Sequence, residues 1–304
     1  AKQGWLQSAF MGQAKALPKE WLDPLQVEGW GYRRKARLGV RYVNKKDKVL
    51  VGFRERKSSF ITVMERCEVL HPLLGDNLEL LGECIEKLSV KFHVPQIEVA
   101  IAELDTILIL RHLQSLTRED EIILQEYGEK LKVTWYTQSG GLETVKPLNE
   151  AVSLNYSLPD HDIKMSFLPT DFTQVNFELN QKMINLALQL LDLNKEDEVI
   201  DLFCGLGNFT LPISRYVKTV VGIEGDSGLV ERAKENASQN GVSNASFYKA
   251  DLFEDVSGFE WFRGKKYSKA LIDPARSGAI EIVELLPKLD VERLVYVSCN
   301  PSTL

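Results

Sequence analysis

After Asp171 the chain alternates short apolar runs with stretches of helical period, and this alternation restricts the fold more than any other feature of its 304 residues. An amphipathic stretch from Phe177 to Leu193 leads into EVIDLF at 198–203. VVGIE follows at 220–224, ASFYKAD at 245–251, KALIDP at 269–274 and RLVYVSC at 293–299, with helices expected before the second, third and fifth runs. Strands that are apolar on both faces must be covered on both faces, and strands alternating with helices do this as a parallel, doubly wound sheet. Such sheets bind ligands outside the carboxyl ends of their strands. The residues that end the five runs therefore map one site.

The first half follows another rule. Between Arg34 and Val63 apolar and polar residues alternate around the turn-like NKKDK, the pattern of an antiparallel hairpin. Leu73–Phe92 has helical period, and ILILRHL and LKVTWYTQ are strand candidates separated by a helix over about 117–130. The expected division is a helical segment over 1–30 packing on the last domain, a central α+β domain over 31–170, and an α/β domain over 171–304. An apolar share of 44% excludes disorder, and four scattered cysteines exclude a disulfide scaffold. No apolar run approaches the roughly 18 residues of a membrane span, and AKQGWLQSAFMG lacks a signal pattern, so a cytoplasmic protein is expected. The formal charge is −6, yet residues 31–57 carry 11 Lys and Arg against Asp47 and Glu55. Such a stripe either attracts a phosphate backbone or is a solvated hairpin.

The first run of the α/β half ends in DLFCGLGN, where Gly205 and Gly207 allow a sharp turn and close approach of a ligand. Glu224 ends the next run about 20 residues later, where an acid can accept hydrogen bonds from ribose hydroxyls. The dinucleotide fingerprint needs a third glycine where Thr210 stands, which opposes an oxidoreductase. S-adenosylmethionine, a nucleoside cofactor without phosphates, fits better. Asp201, Gly205 and Gly207 would face its methionine part, and Asp251 either accepts from adenine N6 or caps a helix. Asp273 is a candidate ligand or an ordinary Asp-Pro turn residue. Cys299 is a candidate nucleophile or a small buried strand residue.

Together, DLFCGLGNFTLP, GIEGD, LIDPARSG and VSCNPSTL resemble the RNA uracil-5-methyltransferases, and DFTQVN at 171–176 and WGYRRKARL at 30–38 extend the likeness over nearly the whole chain. The resemblance implies a Rossmann-like methyltransferase domain beside a central RNA-binding domain. It makes Cys299 the thiolate that adds to uracil C6, and places Gln174, Phe203, Asn208, Glu224, Asp251 and Asp273 around S-adenosylmethionine. Within the family the chain is most similar to the members that act on 23S ribosomal RNA, which implies that RNA as partner, no membrane and a monomeric enzyme. Cys67, in MERCEVLHP, matches the fourth ligand of a [4Fe-4S] cluster in those members; the other ligands are expected upstream of residue 1. The family's general base, a glutamate downstream of the nucleophile, is expected beyond Leu304, so the chain reads as a fragment shortened at both ends. The alternatives are a transfer-RNA enzyme acting in the T loop and a non-catalytic RNA-binding fragment. Cytosine-5 enzymes would carry a second cysteine where this chain has DPAR. Cys84 reads as core, Cys204 carries no chemistry, and the four histidines show no ligand spacing.

Overall fold

In the computed structural model, which describes residues 2–14, 18–58 and 60–303, the chain divides into two units, each with its own core. Val27–Tyr156 and Ser166–Glu178 make the α+β unit; Ala1–Gln26, Ser157–Met165 and Leu179–Leu304 make the α/β unit. The expected boundary at 170/171 is thus displaced. Residues 166–178 belong with the α+β unit because Lys35 Nζ donates to the carbonyls of Pro169 and Asp171, and the Arg34 amide donates to that of Val175. Among the described residues no helix is long and apolar enough to cross a membrane.

The chain starts with helix α1 (Lys2–Ala9), which continues as a π-helical turn over Phe10–Ala14. Strands β1 (Lys35–Val43) and β2 (Lys48–Gly52) form the hairpin expected around NKKDK, with Val43 opposite Lys48 and Asp47 in the left-handed region closing the turn. Helices α2 (Pro72–Gly75) and α3 (Leu78–Lys87) follow, then β3 (Gln96–Ile101), β4 (Thr106–Arg111), helix α4 (Arg118–Leu131), β5 (Thr134–Gln138) and β6 (Lys146–Pro147). The sheet order is β2-β1-β3-β4-β5-β6, antiparallel except for β4 and β5, which the α4 crossover makes parallel. Reciprocal bonds between Thr117 and Asp120 cap the start of α4. Leu38, Val40, Ile97, Val99 and Leu108 share a core with Leu81, Ile85, Leu124 and Leu131, so one sheet face is buried under α3 and α4.

Strands β7 (Leu154–Leu158) and β8 (Ile163–Phe167) pair as a ribbon, and helix α5 (Phe177–Leu191) leads into the parallel sheet. Its strands are β9 (Glu198–Leu202), β10 (Thr219–Glu224), β11 (Ala245–Lys249), β12 (Lys269–Ile272) and β13 (Arg293–Tyr296), each within the run expected for it or one residue longer. Helices α6 (Thr210–Ser214), α7 (Ser227–Gln239) and α8 (Ile280–Val283) fill the intervals in which helices were expected. The order β11-β10-β9-β12-β13, with every neighbouring pair parallel, places the switch point between β9 and β12. Val199, Ile200, Leu202, Ala270, Leu271 and Ile272 are wholly buried there, which is why both runs are chiefly apolar.

Candidate active site

Asp201 is the exception inside β9. Its side chain has no exposure, and burial pushes its carboxyl up to about 7, against the hydrogen bond from Thr210 and with the negative charges of Asp273 and Glu224 adding to the rise. Thr210 Oγ1 donates to Asp201 Oδ2 at 2.5 Å, while Asp201 Oδ1 is buried without a hydrogen-bond partner. A carboxylate kept in such a place lowers stability, so its partners decide whether the fold tolerates it. Thr210, noted in the sequence only as a missing glycine, is that partner.

The turn after β9 is shaped by positive φ at Phe203 (65°), Gly205 (54°) and Gly207 (89°). The left-handed region is unfavourable for a bulky residue such as Phe203, and backbone strain of this kind collects at ligand sites. A Cβ on Gly205 would meet nothing within 4 Å, so the loop opens on space there, whereas one on Gly207 would press on Leu211 Cγ at 3.2 Å. Glu224 holds the loop from the next strand: Oε2 accepts from the Gly205 amide at 3.0 Å and Oε1 from the Asp226 amide at 2.9 Å. Asn208 and Asn180 exchange two side-chain hydrogen bonds, both 2.9 Å, and Asn180 is buried on α5.

The other expected residues fall as follows. Asp251 is exposed two residues beyond β11; its Oδ1 accepts from the Phe253 amide at 3.0 Å, forming a turn, and no helix starts there. Phe203 and Phe253 lie with ring centroids 5.7 Å apart, so Phe253 joins this loop cluster unforeseen. Asp273 follows β12 directly, half-buried; burial raises its carboxyl to about 6, and that carboxylate has no hydrogen-bond partner among the described residues. Gln174 lies in the α+β unit, half-buried in the segment that Arg34 and Lys35 tie down.

Cys299 is exposed on the loop after β13, at the carboxyl end of the sheet. Its loop is tied to the Asp273 loop: Asn300 Nδ2 and Thr303 Oγ1 both donate to the Arg276 carbonyl, at 3.3 and 3.0 Å. Gly278, with φ 85°, lets the two segments approach, since a Cβ there would stand 2.7 Å from the Thr303 carbonyl oxygen. By contrast Cys204 and Cys84 are buried; burial raises the first well above an ordinary thiol and pushes the second up to about 12. Neither suits a nucleophile.

Three carboxyl groups thus gather around an open glycine loop, beside an exposed thiol. The arrangement suits a cation that carries hydroxyl and amine donors. Cys67 is half-buried, its amide donating to the Gly75 carbonyl, and among the described residues no group of three or more His, Cys, Asp or Glu could hold a metal.

The profile of the tRNA (uracil-5-)-methyltransferase family matches residues 87–304. A protein of Vesicomyosocius okutanii called 23S rRNA (uracil(1939)-C(5))-methyltransferase RlmD is 66% identical over 303 residues, covering 100% of this chain and 69% of its own length. The chain belongs to the RNA uracil-5-methyltransferase family. A protein of the same name from Nitrosococcus oceani is 50% identical over 309 residues, with 100% of this chain and 68% of that protein covered. The fold is shared with the Pyrococcus abyssi tRNA (uracil-54, C5)-methyltransferase solved with S-adenosyl-L-homocysteine, at a TM-score of 0.68 and 20% identity over 91% of this chain and 68% of that one.

Proposed function

We propose that this chain carries the methyl-transfer site of an enzyme that methylates uracil C5 in 23S ribosomal RNA, at the residue numbered 1939 in its relatives' name. Relatives of 50% identity and more bear that name, whereas the transfer-RNA enzyme shares only the fold. The observation that carries the reading is the exposed thiol of Cys299, on a loop joined through Arg276 to the loop of Asp273.

S-adenosylmethionine, when bound, supplies an electrophilic methyl group. The fit rests on the unpartnered Asp201 Oδ1, the open face of Gly205 and the acidic surroundings, which suit a sulfonium and an ammonium. Glu224 remains the candidate for the ribose hydroxyls and Asp251, which accepts from the Phe253 amide, for the adenine end. Asn208, braced by Asn180, lines the loop, and Gln174 is assigned to the pocket by its motif alone.

Uracil C5 is a poor nucleophile. The Cys299 thiolate adds to C6, the C5–C6 π electrons move to C5 and O4, and C5 becomes nucleophilic enough to take the methyl group. The base must leave its stack to expose C6. Loss of the C5 proton to a general base then expels the thiolate and restores the ring. That base is assigned to the longer protein, since the chain spans about 69% of its relatives' length. Cys67 would supply one of the four ligands a [4Fe-4S] cluster needs, the others being assigned to the longer protein, and the methyl-transfer chemistry does not pass through it.

The test is the full-length protein with RNA carrying 5-fluorouridine, which blocks the last proton loss. A covalent complex that maps to Cys299 and is absent in Cys299→Ala is expected. An adduct in Cys299→Ala, or none in the unaltered protein with cofactor present, overturns the reading.

A further inference from the structure

In the α+β unit, well away in sequence from the methyl-transfer loops, two aromatic rings meet on β1 and the turn Lys91–His93. Tyr42 and Phe92 lie edge to face, with centroids 4.6 Å apart and 70° between their planes. Phe92 is 60% exposed. A lone exposed apolar residue needs no explanation. Here, however, the ring belongs to a cluster: Lys91 Nζ lies 5.5 Å from both ring centroids, within cation–π reach, and Lys45 and Lys46 stand exposed in the turn that begins two residues after Tyr42. None of these three lysines is in an ion pair among the described residues. The acids nearest Tyr42 are already engaged, Asp47 by the Tyr42 hydroxyl and Glu86 by the Val49 amide.

The basic segment as a whole does not share this property. Arg33 donates to the Lys35 carbonyl and covers Phe53, Arg34 donates to Ala102 and covers Phe177, and Lys35 is spent on Pro169 and Asp171. Arg37 pairs with Glu98 and Lys48 with Glu79. Five of the eleven cations between 31 and 57 are thus engaged, whereas Arg41, Arg54, Arg56 and Lys57 stay exposed but have no aromatic pair beside them among the described contacts. A largely exposed ring, backed edge to face by a second and flanked by unpaired cations, forms the pattern that binds unpaired nucleotides: the base stacks and the phosphates meet the charge.

We propose that Tyr42 and Phe92 form a stacking platform for an unpaired base of the RNA substrate, with Lys45, Lys46 and Lys91 taking its flanking phosphates. The inference rests on the reading that the enzyme acts on RNA, but not on the chemistry of Cys299.

The test measures binding of the full-length protein to a fluorescein-labelled single-stranded RNA of about 12 nucleotides, and to the same sequence as a duplex. Phe92→Ala should weaken single-strand binding roughly 5- to 100-fold and duplex binding far less, while Phe92→Trp should bind normally and lose its fluorescence on mixing. Replacing Lys45 and Lys46 by Gln should flatten the salt dependence of binding. Because Phe92 is exposed, its thermal midpoint should not move. Phe92→Ala should still form the 5-fluorouridine adduct at saturating RNA; failure of adduct formation in every form of the protein would strike the Cys299 reading and leave this one standing. Unchanged single-strand affinity in Phe92→Ala, or equal losses for strand and duplex, overturns the platform.

Discussion

Two carboxyl groups at the strand ends bear charges that their surroundings oppose. Asp201 is raised to about 7 and Asp273 to about 6, both chiefly by burial. The sign follows from linkage. Both are carboxyls with folded pKa above the unfolded value of about 4, so the folded state binds more protons, and stability falls as pH rises from about 4 to about 7. Asp201→Asn should therefore raise the thermal midpoint of the cofactor-free protein at pH 8, by an amount that vanishes near pH 4, because the amide keeps the Thr210 contact without the charge. The same change should weaken S-adenosylmethionine binding at pH 8 by about tenfold or more, read by calorimetry, since a cation is what the ionised form attracts. Calorimetry in buffers of different ionisation enthalpy should show proton release when the unaltered protein binds cofactor near pH 6.5. Equal affinity in the variant at pH 8 would remove Asp201 from the site. The Asp201–Thr210 pairing was readable only in part: the acid stood out in an apolar run, but its partner nine residues on did not.

At the scale of elements, the loops after β9, β12 and β13 are held by close approaches that only glycine permits. On β10, a Cβ at Gly222 would stand 2.8 Å from Phe247 Cδ1 and 2.9 Å from Cys204 Sγ, so Gly222→Ala should cost about 1–3 kcal/mol, seen as a lowered thermal midpoint. Gly278→Ala differs. Its Cβ would collide with the Thr303 carbonyl in a loop, and φ is 85°, so the seam between the Asp273 and Cys299 loops should open while the sheet persists. Adduct formation with 5-fluorouridine RNA should fall by roughly tenfold to a hundredfold with cofactor affinity little changed, the signature of a positioning residue. The five strands of the parallel sheet were plain in the sequence because an apolar run bounded by turn residues has few alternatives, whereas β3, β7 and β8 were not read from it. The reciprocal Asn180–Asn208 bonds were not, because they join residues 28 apart through the packing of α5 against the loop.

For the molecule as a whole, two cores mean that a ligand of one need not protect the other. On addition of S-adenosylhomocysteine, hydrogen exchange should slow in residues 201–210, 222–226 and 271–276, whereas β1–β5 should keep their rates; protection confined to the α+β unit would place the cofactor elsewhere. The chain's own order of residues determined the parallel sheet, the β1–β2 hairpin and the family, because hydrophobic period and short motifs are local quantities and survive without coordinates. Tertiary structure alone decided which charges are available. Of the cations between 31 and 57, burial and carbonyl partners claim Arg33, Arg34 and Lys35, while Lys45 and Lys46 face water. It also moved the boundary near residue 170, since Lys35 and Arg34 fasten 169–175 to β1. The boundary depends on hydrogen bonds between residues more than a hundred positions apart and the Arg34 side chain on a carbonyl 68 positions away, and no periodicity within a segment encodes a partner at such distances.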